Sequence, residues 1–369
     1  MVTQTLPKSL TVDVSALSRL FTERTTSYKF LFFYALINKI CATDSDKIYL
    51  QDLANDMLAL AWYPHNFFKL SFGTQDQTTT ILDQLEFSLE GKKAGSAVAE
   101  DALRSALIEQ GSDIGSKRLV RYVPYRLLSV FFESELRGKT DQRKNYLITQ
   151  LAEKHFDDTK PFYRICESDR RTYLECHPSW RGYFIENYAI VSGWFRWEWL
   201  KFLQTRNPNI PSISNKVFAP KIRSPLTDQK KYWKEIISTN RFYCVFSEEL
   251  LSEQNCALDH FIPWSFVCHD QLWNLIPVKK SANSAKKNHI PDMVYLEKFI
   301  EMQVRGLVLA KGIFSENTWG KMTGSFVEDM QLEHRELLSA RAVADAYHRI
   351  IPPLMDLAGN SGFQRNWHY

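Results

Sequence analysis

The chain has few of the features that mark exported, disulfide-rich or membrane proteins. Its 369 residues include six cysteines and no Cys-x-x-Cys pair, a usage typical of reduced thiols in the cytoplasm. The first residues show neither the basic start nor the apolar run of a signal peptide. The best apolar run, residues 30–37, is far below the roughly 18 residues of a membrane span. We therefore expect a soluble, cytoplasmic protein with no membrane partner.

The sequence also has little net charge and no repeats. Its 46 Lys and Arg residues exceed its 42 Asp and Glu residues only slightly, for a net charge of +4. We find no internal repeat or low-complexity tract, and 44% hydrophobic with 14% aromatic residues is ordinary for globular proteins. The length predicts two or three folding units. A nucleic-acid partner is permitted by the charge but not required by it.

Apolar periodicity predicts a mostly α-helical N-terminal region, residues 1–215. Helical spacing is found in residues 27–40, 48–62, 81–89, 94–110 and 180–203. Strand signals between residues 122 and 188 are short. Two prolines in residues 206–216 favour a domain boundary there, and residues 216–240 are predicted to form a basic linker. Its six cations are Lys216, Lys221, Arg223, Lys230, Lys231 and Lys234.

Residues 241–295 carry the chemistry. A short apolar strand ends in Asp259-His260, a loop containing Pro263 follows, and Asn274 precedes a second apolar strand at 275–278. Ser281 can cap a helix whose first turn contains Asn283. Strand, loop, strand and helix should bring Asp259, His260 and Asn283 within reach of one another.

These residues resemble the HNH (ββα-metal) endonuclease family. The run Asp259-His260-Phe261-Ile262-Pro263 matches the family's Asp-His pair and the proline after it, Asn274 its central Asn, and Asn283 its third position. The spacing is similar to that of the HNH domain of RNA-guided CRISPR nucleases, and the chain is an H-N-N variant. Together with the apolar periodicity of the rest of the chain, the resemblance predicts an α+β fold: a helical N-terminal region, an HNH module at 241–295, and C-terminal helices (296–369) packed on it. Those helices are predicted at 293–309 and 326–351, ending at Pro352-Pro353.

The chemistry of phosphodiester hydrolysis explains these residue types. An imidazole is the natural base for a water molecule near neutral pH, a role that fits His260. Carboxylate and amide oxygens are hard ligands suited to Mg²⁺, or to Mn²⁺, so Asp259 and Asn283 fit the metal role. By resemblance, Asn274 orients the loop or His260, and Lys286 contacts phosphate.

Several other residues near the motif could be mistaken for metal or catalytic residues. His269-Asp270 is a second Asp/His pair, which we interpret as part of a solvated loop. His289 lies too far from Asn274 to be the third motif position. Many HNH proteins bind a structural zinc through two Cys-x-x-Cys pairs, which this chain lacks, so we expect no zinc and interpret Cys244, Cys256 and Cys268 as small buried thiols.

Three basic clusters predict a groove that follows nucleic-acid phosphates without reading sequence. One contains Lys117, Arg118, Arg121 and Arg126, the second is the linker, and the third surrounds the motif helix. The candidate contacts are Lys279, Lys280, Lys286, Lys287, Lys230, Lys231 and Arg121.

The leading hypothesis is a metal-dependent endonuclease that nicks double-stranded DNA. The alternatives are a DNA- or partner-binding subunit with a latent HNH module, and an RNA-cleaving HNH nuclease. The N-terminal region would recognise DNA, dock a protein partner or hold the nuclease inactive. Its segments SYKFLFF (27–33), VPYRLLS (123–129) and RNPNIP (206–211) resemble the helical region before HNH domains in bacterial restriction-like and phage-defence systems, including Zorya-type systems.

Overall fold

A computed structural model describes residues 6–22, 25–220 and 225–369. These residues form two compact units. The first takes the chain up to Pro208 and continues from Ile213 to residue 220. The second takes Asn209–Ser212 and residues 225–369. Lys221 and Arg223, predicted as part of the basic linker, lie outside the described residues.

The first unit is mainly helical. Its elements in chain order are α1 (Val14–Arg19), α2 (Tyr28–Ala42), β1 (Lys47–Tyr49), α3 (Leu50–Trp62), α4 (Gln77–Leu82), α5 (Ala97–Gln110), α6 (Val123–Leu128), α7 (Glu133–Leu136), α8 (Asp141–Lys154), β2 (Tyr163–Ser168), β3 (Arg171–Cys176), α9 (Pro178–Glu186) and α10 (Tyr188–Arg206). The three strands form an antiparallel sheet in the order β1-β3-β2.

Helix α2 lies at the centre of this unit. Its residues 30–37 and 40 are all buried, as expected for a helix that is apolar on every side. Phe30 stacks on Phe21 with ring centroids 4.4 Å apart, and Tyr34 stacks on Phe195 of α10 at 4.3 Å. The Tyr34–Phe195 contact therefore joins α2 to α10.

Three predictions in this unit need correction. Residues 180–203 form two helices, because the chain breaks at Asn187 between α9 and α10. The expected helix at 81–89 ends at Leu82, where α4 stops. The helix predicted at 48–62 continues beyond Trp62, since Tyr63–Phe67 extends α3 as a π-helical turn.

The second unit contains α11 (Thr227–Thr239), β4 (Cys256–His260), α12 (Trp264–Val267), β5 (Leu275–Lys279), α13 (Lys280–Lys286), α14 (Leu296–Ile313), α15 (Glu316–Met330) and α16 (Ala340–Asn360). Strands β4 and β5 pair antiparallel. The overall class, α+β with a helical N-terminal region and C-terminal helices, is confirmed.

Helix α14 joins the strand pair to the other helices. Phe299 on α14 stacks on Phe261, which follows β4, with ring centroids 4.0 Å apart. Gly306 on the same helix lets α11 approach closely, because a Cβ there would lie 2.8 Å from the Trp233 ring. The core of the unit is therefore continuous from α11 through α14 to the strands.

Two further predictions differ from the structure. Residues 227–239 of the predicted linker form α11, whose Tyr232 and Trp233 are buried in the core. Helix α16 continues through Pro352 and Pro353 to Asn360. In the three described stretches of the chain, no helix combines the length and apolarity needed to cross a bilayer.

Candidate active site

The strand pair places the Asp-His pair at one end of β4. His260 pairs with Leu275 and Asp259 with Ile276 across the antiparallel ladder, and both partners on β5 are fully buried. Trp233 on α11 donates its indole N–H to the Leu275 carbonyl oxygen at 3.0 Å. The β5 residue opposite His260, Leu275, is thus fixed both by the strand pairing and by the Trp233 hydrogen bond.

Asp259 meets a buried cation. The Lys286 ammonium lies 3.0 Å from Asp259 Oδ2 and donates a hydrogen bond to the His260 carbonyl oxygen at 2.7 Å. Lys286 is 0% exposed and Asp259 is 6% exposed. Oδ2 forms no aligned hydrogen bond in this contact, so its attraction to Lys286 is that of an ion pair. Because Lys286 is buried and paired with Asp259, it contacts phosphate only if it leaves Asp259.

His260 is hydrogen-bonded to Asp270, a residue that the sequence predicts to lie in a solvated loop. Its Nε2 lies 2.9 Å from Asp270 Oδ1. A carboxylate only accepts hydrogen bonds, so Nε2 carries the proton, and in the neutral ring Nδ1 holds the lone pair. Asp270 is therefore not part of a purely solvated loop.

The segment between β4 and β5 places Asp270 beside His260. The short helix α12 ends at Cys268, which has a left-handed φ of 55° and turns the chain back. Gln229 on α11 then donates to the Asp270 carbonyl oxygen at 3.0 Å. The only sequence signal for Asp270 was a carboxylate in the loop after the motif histidine, and that signal is common in surface loops.

Asn274 holds the start of the loop. Its amide oxygen accepts from the Ile262 N–H and its amide nitrogen donates to the Ile262 carbonyl oxygen, both at 2.9 Å. The side chain is completely buried. Asn274 thus fixes the chain two residues after His260 and touches no part of the imidazole in these contacts.

Asn283 lies on α13, which packs against both strands. It is half-buried, and its side chain forms no hydrogen bond with any described residue. It is three positions before Lys286, so the two share one face of the helix. The helix begins at Lys280 without a side-chain cap. Ser281 was predicted as the cap, but its hydroxyl contacts the Tyr369 hydroxyl instead.

The donor set fits a hard divalent cation. Asp259 supplies a carboxylate oxygen without an aligned hydrogen bond, and Asn283 supplies an uncommitted amide oxygen. Mg²⁺ takes few protein ligands and keeps several waters. Within the described ranges no cluster of three or more His, Cys, Asp or Glu side chains is arranged to hold a metal. A binding ion would therefore meet one carboxylate here, already paired with Lys286.

The neighbouring histidine, His289, is shifted towards its neutral form. Burial lowers its pKa, and the positive charges of Lys286 and Lys287 lower the pKa further. Its Nδ1 is buried without a hydrogen-bond partner. His289 is not part of the group formed by Asp259, His260 and Lys286.

The surface cations predicted to contact nucleic acid differ in how strongly they are held. Lys279 pairs with Glu249 at 2.7 Å, and Lys280 donates to the Gln254 carbonyl oxygen at 2.8 Å. Lys287 is exposed beside the motif helix, and Lys230 and Lys231 are exposed on α11. Arg121 belongs to the first unit, where its guanidinium lies over the Tyr122 ring.

Comparison with known families agrees with this site. Residues 245–292 match the family model described as HNH endonuclease. No curated protein and no solved structure matches the chain. The matched segment contains β4, β5 and α13 with Asp259, His260, Asn274 and Asn283, and it confirms the resemblance to the HNH family. Residues 245–292 are therefore similar to an HNH domain.

Proposed function

We propose that the HNH module hydrolyses phosphodiester bonds in double-stranded DNA with His260 as the general base. The hydrogen bond between His260 Nε2 and Asp270 carries this proposal. It leaves the lone pair on Nδ1, the form that takes a proton from water. The family match supports nuclease chemistry, and the DNA substrate is our inference from the basic side chains around the module.

The other residues of the site have separate roles in this proposal. Asp259 and Asn283 would hold Mg²⁺, or Mn²⁺, which supplies charge stabilisation at the scissile phosphate when bound. Asn274 keeps the backbone after His260 in place. Lys287, Lys230 and Lys231 are proposed to contact the phosphate backbone, with Lys279 and Lys280 joining them if they leave their present partners.

Plasmid cleavage tests the proposal directly. The protein should convert supercoiled DNA to open circles first and to linear molecules later, since one module cuts one strand at a time. EDTA should stop the reaction, and His260→Ala should slow it by about 100-fold or more without weakening DNA binding. His334→Ala is the matched control, since His334 is an exposed histidine outside the site. Equal cleavage by His260→Ala and its parent would disprove the assignment.

Ion binding has its own test that does not depend on cleavage. Mg²⁺ should raise the melting midpoint of the parent, because a ligand that binds only the folded state stabilises it. Asp259→Asn should abolish this rise. In Lys286→Met the rise should be larger, since the carboxylate is no longer paired with an ammonium. A similar rise in parent and Asp259→Asn would place the ion elsewhere.

A latent module is the second candidate, and the Lys286–Asp259 pair is the observation that favours it. In this arrangement the carboxylate proposed to hold the ion is already neutralised. A latent protein would bind DNA or a protein partner but cleave neither plasmid nor matched RNA with Mg²⁺ or Mn²⁺. Parallel incubation with DNA and RNA of one sequence separates this outcome from an RNA-cleaving nuclease. A role in phage defence stays a prediction.

A further inference from the structure

A large cavity lies within the first unit. It has a volume of about 790 Å³ and is lined by side chains from α1, α2, α6, α7 and α8. That volume is within the range of small-molecule and cofactor sites, roughly 300–1,000 Å³. All of its lining residues belong to the first unit, and none of them is a residue proposed above for hydrolysis.

The lining is strongly basic. Among the described residues it has five cationic side chains and two carboxylates: Arg19, Lys29, Arg126, Arg137 and Lys144, with Glu133 and Asp141. Arg19 pairs with Glu133 at 3.5 Å, and Arg126 pairs with Asp141 at 3.1 Å.

Arg137 makes no ion pair with any described residue, and it is exposed at the cavity. The two carboxylates therefore do not balance the cations, and the cavity keeps a positive potential that attracts anions.

Neutral hydrogen-bond donors and one aromatic ring complete the lining. The hydroxyl residues Thr25 and Thr26 suit phosphate oxygens. Tyr122 also lines the cavity and is 48% exposed. The Arg121 guanidinium lies 5.0 Å from its ring centroid. An accessible ring beside several cations is the combination that binds a base by stacking and its phosphate by charge.

We propose that this cavity binds a nucleotide unit, with its phosphate at the cations around Arg137 and its base against Tyr122. The chemistry is the same for a nucleotide within a nucleic-acid strand and for a free nucleotide. This site is separate from the HNH module, so the proposal does not depend on hydrolysis. It gives the first unit a ligand-binding role and includes Arg126 from the first basic cluster.

Binding assays on the full-length chain in EDTA test the proposal without cleavage. The probes are fluorescein-labelled oligothymidine and fluorescein-labelled ATP, followed by anisotropy. Arg137→Glu should weaken binding by about 10-fold or more and lower the slope of log affinity against log salt by about one or more. Tyr122→Leu should weaken it by about 5- to 150-fold, the loss expected for one stacked base.

Arg170→Glu is the matched control, an exposed arginine in the turn between β2 and β3 that does not line the cavity. It should change affinity by less than about 2-fold, since its charge change is equal but falls on a side chain that does not line the cavity. Loss of oligothymidine binding alone identifies a strand as the ligand, and loss of ATP binding identifies a free nucleotide. If neither probe distinguishes Arg137→Glu from Arg170→Glu, the proposal is overturned.

Discussion

His260 and Asp270 are ten residues apart in the chain, yet His260 Nε2 and Asp270 Oδ1 lie 2.9 Å apart. The contact selects the tautomer with its proton on Nε2. It also ties the imidazole to a loop whose own backbone is held by Gln229. Asp270 reaches the proposed reaction only through His260, so we regard it as a positioning residue.

Asp270→Asn should lower kcat by up to about 10,000-fold, the loss seen when an amide replaces the carboxylate behind a catalytic histidine. The amide N–H₂ can donate to Nε2 and so favours the tautomer with a protonated Nδ1. KM should change little, because Asp270 faces the histidine. Initial rates of plasmid nicking at several DNA concentrations measure both constants.

Asp345→Asn is the control for this change, an exposed carboxylate on α16 whose nearest cation is Arg341. A kcat for Asp270→Asn that matches the control would contradict the positioning role.

Lys286→Met should destabilise the second unit by about 3–5 kcal/mol, the usual cost of removing one partner from a buried ion pair. The remaining Asp259 carboxylate would be buried without its cation. Urea unfolding followed by tryptophan fluorescence measures the loss. The double variant Lys286→Met with Asp259→Asn should recover part of it, since no buried charge then remains. An unchanged urea midpoint in Lys286→Met would show that the pair contributes nothing.

Asn274→Ala should cost about 1–3 kcal/mol for each of the two Ile262 backbone groups that it leaves unpaired. Asn274→Asp should cost more than Asn274→Ala, because it buries a carboxylate without a cation and sets one of its oxygens against the Ile262 carbonyl oxygen. Urea unfolding of the parent, Asn274→Ala and Asn274→Asp measures the order of their free energies of unfolding. If Asn274→Asp were the more stable variant, the hydrogen bond that it keeps to the Ile262 N–H would outweigh the cost of the buried charge.

His177 makes the stability of the first unit depend on pH. Burial lowers its pKa, and Lys160 lowers the pKa further, against a smaller opposing effect of Asp157. Its Nδ1 caps α9 by accepting from the Ser179 N–H at 3.1 Å. The folded state thus favours the neutral ring, so stability is complete above the ordinary pKa of 6.5. It falls as pH drops below that value, since the unfolded state then binds the proton more readily.

His177→Asn keeps a capping side chain that does not titrate. Melting midpoints between pH 8 and pH 5 should fall more for the parent than for this variant. Parallel curves for the two proteins would mean that His177 does not set the pH dependence.

The strand pair and its helix were predictable from sequence because local signals agree there. Cys256–His260 and Leu275–Lys279 are short apolar runs bounded by polar residues, and Asn283 follows within one helical segment. Asp270 was not predictable, because its position depends on the αL turn at Cys268 and on Gln229 from a distant helix. Its role becomes visible only when long-range contacts are known.

Charge was the least reliable guide. Residues 216–240 have many cations, which favoured a linker, yet Tyr232 and Trp233 bury one face of α11. Lys286 is one of the cations predicted to contact phosphate, and its ammonium is buried beside Asp259. In both places a few buried contacts outweigh the local composition.

The turn before β5 shows how much of the chain the motif needs. Gln303 on α14 donates to the carbonyl oxygens of Leu272, Trp273 and Leu275, and the Tyr347 hydroxyl on α16 donates to that of Trp273. Trp273 in turn donates its indole N–H to Asp329 on α15 at 2.7 Å. A fragment ending at Asp292 would lose all of these bonds, including both of the donors named here for the Trp273 carbonyl oxygen. A fragment that keeps this turn intact therefore needs the C-terminal helices of the second unit. A fusion protein or expression fragment should retain them.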